Sequence, residues 1–311
     1  MNSAMRLSRR DLCMLLLTGE WTAAAAGAAG PTADPDAQYV LGKDSQLQVA
    51  LPEGRGRVTD HVLKESRIYP GFEHRWWLYI PAQYDGRTPV ALMVFQDGGA
   101  FLDRQGAFRV PIVFDNLIER RELPVMAALL VDSGTRPAAG ATEPHSAPSD
   151  GSNRSVEYDT LSADYASFLL QEILPEVRKQ VLITENPAGR GIGGHSSGGI
   201  SAFTAAWQRP DQFRKVFSAN GSFVNIRGGG AYPDLVLKNA RKPIRIFQQD
   251  GRKDLVHDLW GGWFEQNQRL AAALEKKRYD HQFVAGEGTH SSAHAGSIFP
   301  DAMRWLWRDY S

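Results

Sequence analysis

The chain has 311 residues, 42% hydrophobic and 23% charged, with 35 Lys+Arg against 35 Asp+Glu and a formal net charge of +0. That composition suits a globular chain with a sizeable core, and the neutral balance excludes the basic footprint of a nucleic-acid binder. No run approaches the ~18 consecutive apolar residues of a membrane span, so integral membrane association is not expected.

The first 34 residues read as a leader. Ser8-Arg9-Arg10-Asp11-Leu12, an apolar stretch interrupted by Glu20, and the small residues of the Ala23–Ala29 region match a twin-arginine export signal. A periplasmic or secreted location is the expectation. The one cysteine, Cys13, lies in this leader, so a mature chain would have no disulfide, thiol nucleophile or thiolate metal site. Residues 35–66 read as a lead-in arm with a short strand or two.

From residue 67 to 311 the pattern is that of one catalytic domain. Strands are predicted at 75–81, 89–99, 123–132, 214–221, 242–251 and 279–286. Those at 89–99 and 123–132 are continuous apolar runs of the kind a fully covered parallel sheet needs. Helices are predicted at 110–122, 162–181, 263–278 and 298–310. Strands alternating with helices imply an α/β fold, a mostly parallel central sheet covered on both faces. The segment 133–155, rich in Gly, Pro, Ala and Ser, follows a strand at the edge where such proteins bind ligands.

"GRGIGGHSSGG" (189–199) carries two patterns. Gly189, Gly191 and Gly194 spell a dinucleotide-binding G-x-G-x-x-G, yet the preceding "ITENPA" is a poor buried strand. The stretch "PDQFRK" about 20 residues on reads as a surface turn rather than the acidic end of a second strand. Gly194, Ser196 and Gly198 spell G-x-S-x-G, the strained strand-to-helix turn that presents a nucleophilic serine. The helix after it would aim its positive end and the Ser197 N–H at a developing oxyanion. Such a hydrolase needs an acid and then a histidine downstream, each after a strand. Asp254 follows the strand at 242–251, with Asp250, Asp258 and Glu287 as alternatives; His290 follows the strand at 279–286. His290 and His294 also form H-x-x-x-H, but without the Glu of H-E-x-x-H and behind a Gly-x-Gly loop, so no metal is expected. His294 is assigned to the pocket lining or to a helix cap.

The runs "VFQDGGAF", "FDNLIERRELP", "NRSVEYDTLSADYASFLLQEILPEV", "GHSSGG", "RPDQFRKVFSANGSF", "PIRIFQQDGRKDL" and "GEGTHSSAHAGSIFPDAMRWLW" together resemble the enterochelin esterase-like family of α/β hydrolases. That family is related to the feruloyl and acetylxylan esterases of carbohydrate esterase family 1. The resemblance spans roughly residues 60–311 and lacks the large N-terminal β domain of true enterochelin esterases, which weakens a siderophore substrate. It implies Ser196 as nucleophile, His290 as base and an Asp-Gly-x loop whose Gly99 N–H completes the oxyanion hole with Ser197. Phe101, Arg154, Glu157, Trp260 and Trp263 are candidate substrate contacts, each with a structural alternative: helix packing for Trp263, a loop-fixing ion pair for Arg154 and Glu157. The expected function is an exported serine esterase without cofactor, acting through an acyl-enzyme on a small or carbohydrate-linked ester. The competing readings are a non-catalytic carbohydrate- or ligand-binding protein on the same fold and a nucleotide-dependent reductase.

Overall fold

The computed structural model describes residues 33–48, 54–137 and 151–310; residues 1–32, which hold the expected twin-arginine pattern, and the middle of the 133–155 segment lie outside them. Among the described residues eight strands form one sheet. They are β1 (Arg57–Leu63), β2 (His74–Ile80), β3 (Ala91–Gln96), β4 (Met126–Val131), β5 (Arg190–His195), β6 (Lys215–Ala219), β7 (Arg245–Gly251) and, after the small hairpin β8 (Val256–His257) and β9 (Gly261–Gly262), β10 (Asp280–Gly286). The spatial order is β1-β2-β4-β3-β5-β6-β7-β10. β2 runs antiparallel to both neighbours and the rest pair in parallel.

The parallel strands bury both faces. Leu92 and Val94 of β3 enter one core with Leu129, Ile192 and Val216; Met93 and Phe95 enter a second with Ala128, Leu130 and Phe217. Alternate side chains point to opposite faces, so a strand covered on both reads as a continuous apolar run. The connecting helices are α1 (Gly98–Leu102), α2 (Val110–Glu119), α3 (Arg154–Asp159), α4 (Asp164–Phe168), α5 (Leu174–Arg178), α6 (Ser197–Gln208), α7 (Tyr232–Lys238), α8 (Trp263–Lys276), α9 (Ala293–Ser297) and α10 (Phe299–Trp307). Residues of α6 such as Ile200 and Phe203 close the first core; Phe299, Met303 and Leu306 of α10 close the second.

The expected elements recur with shifted ends, and two differences have a physical cause. The strand predicted at 89–99 stops at Gln96, because Asp97 turns into the left-handed region at φ 54°. The helix predicted at 162–181 is interrupted by a π turn, Leu169–Ile173, just before Pro175. Proline cannot supply the next helical N–H and its ring crowds the preceding turn. The short α1, α3 and α7 were not foreseen: five to seven residues give too little periodicity to read.

Candidate active site

Parallel strands end together, so the residues following β3, β5, β6, β7 and β10 gather at one sheet edge. There β5 breaks into α6 at Ser196, whose φ of 59° and ψ of −124° are strained for a side-chain-bearing residue. The turn is tight enough that a Cβ on Gly194 would lie 2.4 Å from the Gly198 carbonyl carbon. Its conformation is held by the Ser196 N–H donating to Ala219 O at 2.9 Å and by the Ser222 N–H donating to Ser196 O at 3.0 Å. Ser197 begins α6, where a helix leaves its first N–H groups without intrahelical partners.

His290 Nε2 lies 2.8 Å from Ser196 Oγ, and His290 Nδ1 lies 2.5 Å from Asp254 Oδ1. The Asp254 side chain is fully buried while that of His290 is 17% exposed, so the pair opens toward solvent only at the imidazole. Facing a carboxylate, Nδ1 carries the proton, which leaves Nε2 as acceptor for the serine hydroxyl proton. Burial alone would raise the Asp254 pKa; hydrogen bonds from His290, Asp250 and Asn220 outweigh it and hold the carboxyl below its ordinary value. A hydroxyl, imidazole and buried carboxylate in this order can transfer one proton from oxygen to nitrogen and stabilise the resulting imidazolium.

Of the four candidate acids, then, Asp254 is the one that meets the histidine. Asp250 stands behind it. Its Oδ1 accepts from Asn220 Nδ2 at 3.1 Å and from the Gly251 N–H at 2.7 Å. Burial, then the neighbouring Asp254 carboxylate, push its pKa far up, so Asp250 keeps its proton at neutral pH. Glu287 pairs instead with Arg252 at 2.9 Å. Asn220 itself is fully buried at a φ of 45° and donates to Asp254 Oδ2 at 2.9 Å as well. His195, whose ring centroid is 5.2 Å from that of His290, is held neutral by burial, its pKa lowered to about 3. Ser222 Oγ sits 3.3 Å from Ser196 Oγ and accepts from Trp263 Nε1 at 3.0 Å. Sequence reading named Asp250 only as an alternative acid and missed Asn220 and Ser222. The Asn-Gly pair at 220–221, a turn signal at the end of the strand predicted at 214–221, was the one clue.

Several expected contacts fall elsewhere. Phe101 is fully buried and stacks between Phe95 and Phe108, with centroids at 4.6 and 4.1 Å, so it is core rather than pocket. Arg154 and Glu157 do not pair. Glu157 is buried and accepts from His74 Nε2 at 3.1 Å, Asn153 Nδ2 at 2.9 Å and the Gly134 N–H at 3.1 Å. Arg154 instead forms a two-pronged bridge to Asp97, at 2.8 and 2.7 Å, clamping the turn after β3. In that turn the Gly99 N–H donates to Asp132 Oδ1 at 3.0 Å, so it is engaged rather than free for an oxyanion. Burial raises the pKa of Asp132 to about 6. Trp263 is buried, edge-on to His290 at 5.8 Å. Trp260 is half-buried, stacks on His257 at 4.2 Å and meets Trp263 edge-on. His294 is buried, and its Nδ1 lies 3.0 Å from Gln249 Nε2. No helix among the described residues is long and apolar enough to cross a membrane.

The profile of the family described as "Putative esterase" matches residues 70–304. The uncharacterized protein YbbA of Bacillus subtilis is 24% identical over 242 residues, 75% of this chain and 92% of that protein. The iron(III) enterobactin esterase of Dickeya dadantii is 26% identical over 274 residues, 83% of this chain but 56% of the relative, so the chain spans little more than half of that enzyme. Among solved structures, the enterobactin esterase of Shigella flexneri superposes with a TM-score of 0.63 at 20% identity, covering 81% of this chain and 60% of that one. The carbohydrate esterase family 1 ferulic acid esterase of Anaeromyces mucronatus gives 0.63 at 13% identity, over 84% and 94%. Both likenesses bear on the fold, a mostly parallel sheet between helices of the α/β-hydrolase kind. With the family profile covering most of its length, the chain belongs to this esterase family.

Proposed function

We propose that the protein is an exported serine carboxylic-ester hydrolase working through an acyl-enzyme. The observation that carries the reading is the unbroken chain Ser196–His290–Asp254, at 2.8 and 2.5 Å, on a strained strand-to-helix turn. Ser196 Oγ bonds to the ester carbonyl carbon as its proton passes to His290 Nε2. The tetrahedral oxyanion meets the Ser197 N–H, and the C–O bond to the alcohol breaks as His290 returns the proton to the leaving oxygen. Water repeats the sequence on the acyl-enzyme and releases the carboxylic acid. Asp254 keeps the imidazole in the useful tautomer and balances its transient charge. The second oxyanion donor comes from the Asp97–Gly99 turn, with Gly99 available once Asp132 yields its N–H.

Family membership and the relatives' names favour an ester of the feruloyl or siderophore-lactone kind. The stacked pair His257 and Trp260 beside the acid loop suits an aryl or sugar ring. Export rests on the Arg9-Arg10 leader. The test is hydrolysis of p-nitrophenyl acetate, methyl ferulate, acetylated xylan and a siderophore trilactone by the wild type and by Ser196→Ala. A loss of about 10⁴-fold or more in kcat is expected from the substitution. Turnover that survives it would overturn the mechanism, and silence of the wild type on all four would favour a ligand-binding role.

A further inference from the structure

The loop bearing His290 has little of its own to hold it. Between β10 and α9 the chain runs Glu287-Gly288-Thr289-His290-Ser291-Ser292, with no helix or strand. On one side it meets the acid loop, whose Lys253 N–H donates to Gly288 O at 3.0 Å, and Asn220, whose Nδ2 donates to Thr289 O at 3.2 Å; on the other it meets a segment from the far end of the sequence. Asp36 Oδ1 accepts the Thr289 N–H at 3.0 Å, and Asp36 Oδ2 accepts the Thr289 hydroxyl. Tyr39 Oη accepts the Glu287 N–H at 2.7 Å, and the Tyr39 ring stacks on His294 with centroids 4.2 Å apart at 18°. The fit is close: a Cβ on Gly288 would lie 2.5 Å from Asp36 Oδ1. The arm is tied down a few residues later as well. Asn116 Nδ2 donates to the carbonyls of Asp44 and Gln46 at 2.9 Å each, and Arg120 and Arg304 both bridge the Asp44 carboxylate.

We propose that residues 35–39 are a strap that positions the base: Asp36 grips Thr289, the residue before His290, while Tyr39 grips Glu287 and His294 to either side. A carboxylate accepting two donors from one residue fixes both its backbone and its side chain, and hydrogen bonds to a charged acceptor are the strong ones. The strap begins directly after the predicted leader, so an aligned base requires that this short segment be retained and docked. Processing within the Ala23–Ala29 region leaves it whole; removal of a further dozen residues would not. Asp36 and Tyr39 are positioning residues, and the inference rests on the reading of Ser196, His290 and Asp254 as the reacting groups.

The test uses the full chain with Asp36→Ala, Thr289→Val, the double variant and Tyr39→Phe. Asp36→Ala is expected to lower kcat on p-nitrophenyl acetate, and the rate of Ser196 labelling by an organophosphonate, about tenfold or more with little change in KM. Thr289→Val removes the hydroxyl bond but keeps the Thr289 N–H bond to Asp36, so its loss should be smaller, and the double variant should be no worse than Asp36→Ala, which already cuts both. Tyr39→Phe keeps the stacked ring and should give the smaller loss. Asp36→Asn, which keeps an acceptor for the Thr289 N–H, should recover part of the rate and guards against a variant that simply folds poorly. Unchanged kcat in Asp36→Ala, additive losses in the double variant, or losses that track Tm alone would overturn the strap. Should Ser196→Ala retain turnover, the catalytic reading fails by itself. The strap is then judged by the downfield His290 Nδ1 proton in NMR spectra: its loss in Asp36→Ala supports the strap and its persistence overturns it.

Discussion

Ser196 and His290 stand 2.8 Å apart, yet they are held by different kinds of structure. Ser196 is fixed locally, by a strand in mid-sheet, the helix that follows within one residue, and glycines that make the turn sterically possible. His290 and Asp254 ride on loops after β10 and β7, fixed by side chains from distant segments: Asn220 after β6, and Asp36 and Tyr39 from the N-terminal arm. One half of the site is therefore set by short-range sterics, the other by long-range hydrogen bonds. The first should fail by misfolding, the second by misalignment.

The largest break in that contrast should come from Gly194→Ala. Its Cβ meets backbone that cannot swing aside, so overpacking of about 1–3 kcal/mol is expected in denaturant unfolding. Displacing Ser196 by as little as an ångström should remove about 100-fold in kcat. Full stability with full activity would show that the turn is not sterically set. Asn220→Gly comes next: glycine accepts the φ of 45° without strain and only the amide is lost. With the buried donor to Asp254, Asp250 and Thr289 O gone, kcat should fall about tenfold and unfolding free energy by about 1–3 kcal/mol; a fall in stability without a fall in kcat would place Asn220 with the scaffold.

The smallest effect is expected from Asp250→Asn, which mimics the protonated acid, and kcat should stay within about threefold, since the amide still donates toward Asp254. Its signature is in pH. Asp250 is raised above its ordinary 3.8, first by burial and then by Asp254, so folding takes up a proton at neutral pH and the wild type loses stability as pH rises. The variant has no such proton to lose. Its Tm relative to the wild type should therefore climb between pH 5 and pH 9, and a constant difference would mean that Asp250 is ionised in the fold.

Legibility follows the same divide. The nucleophile turn was readable because its constraint is written within five residues: only small residues fit at 194 and 198. β3 and β4 were readable as apolar runs because both of their faces are covered. The acid was readable only as a set. Asp250 and Asp254 look alike in sequence and differ only in which one reaches the imidazole. Phe101 and the Arg154–Glu157 pairing were misread because neither stacking inside a core nor the bridge to Asp97 leaves a mark in local spacing. The 162–181 periodicity was real, but the helix that carries it passes through a π turn just before Pro175. Asp36 and Tyr39 lie some 250 residues from the loop they touch, beyond any local pattern.

The acid and base loops are also joined to each other. A Cβ on Gly251 would lie 2.2 Å from the Gly288 carbonyl oxygen, the Arg252 N–H donates to Gly286 O at 2.8 Å and the Lys253 N–H to Gly288 O at 3.0 Å. These contacts make the two loops one body, with Asp254 and His290 mounted on it together. A residue inserted in either loop would reach the site as a shift of the whole pair against Ser196, leaving the histidine–carboxylate contact whole. Variation in these loops can thus reshape the rim of the cleft while the proton-accepting unit travels intact.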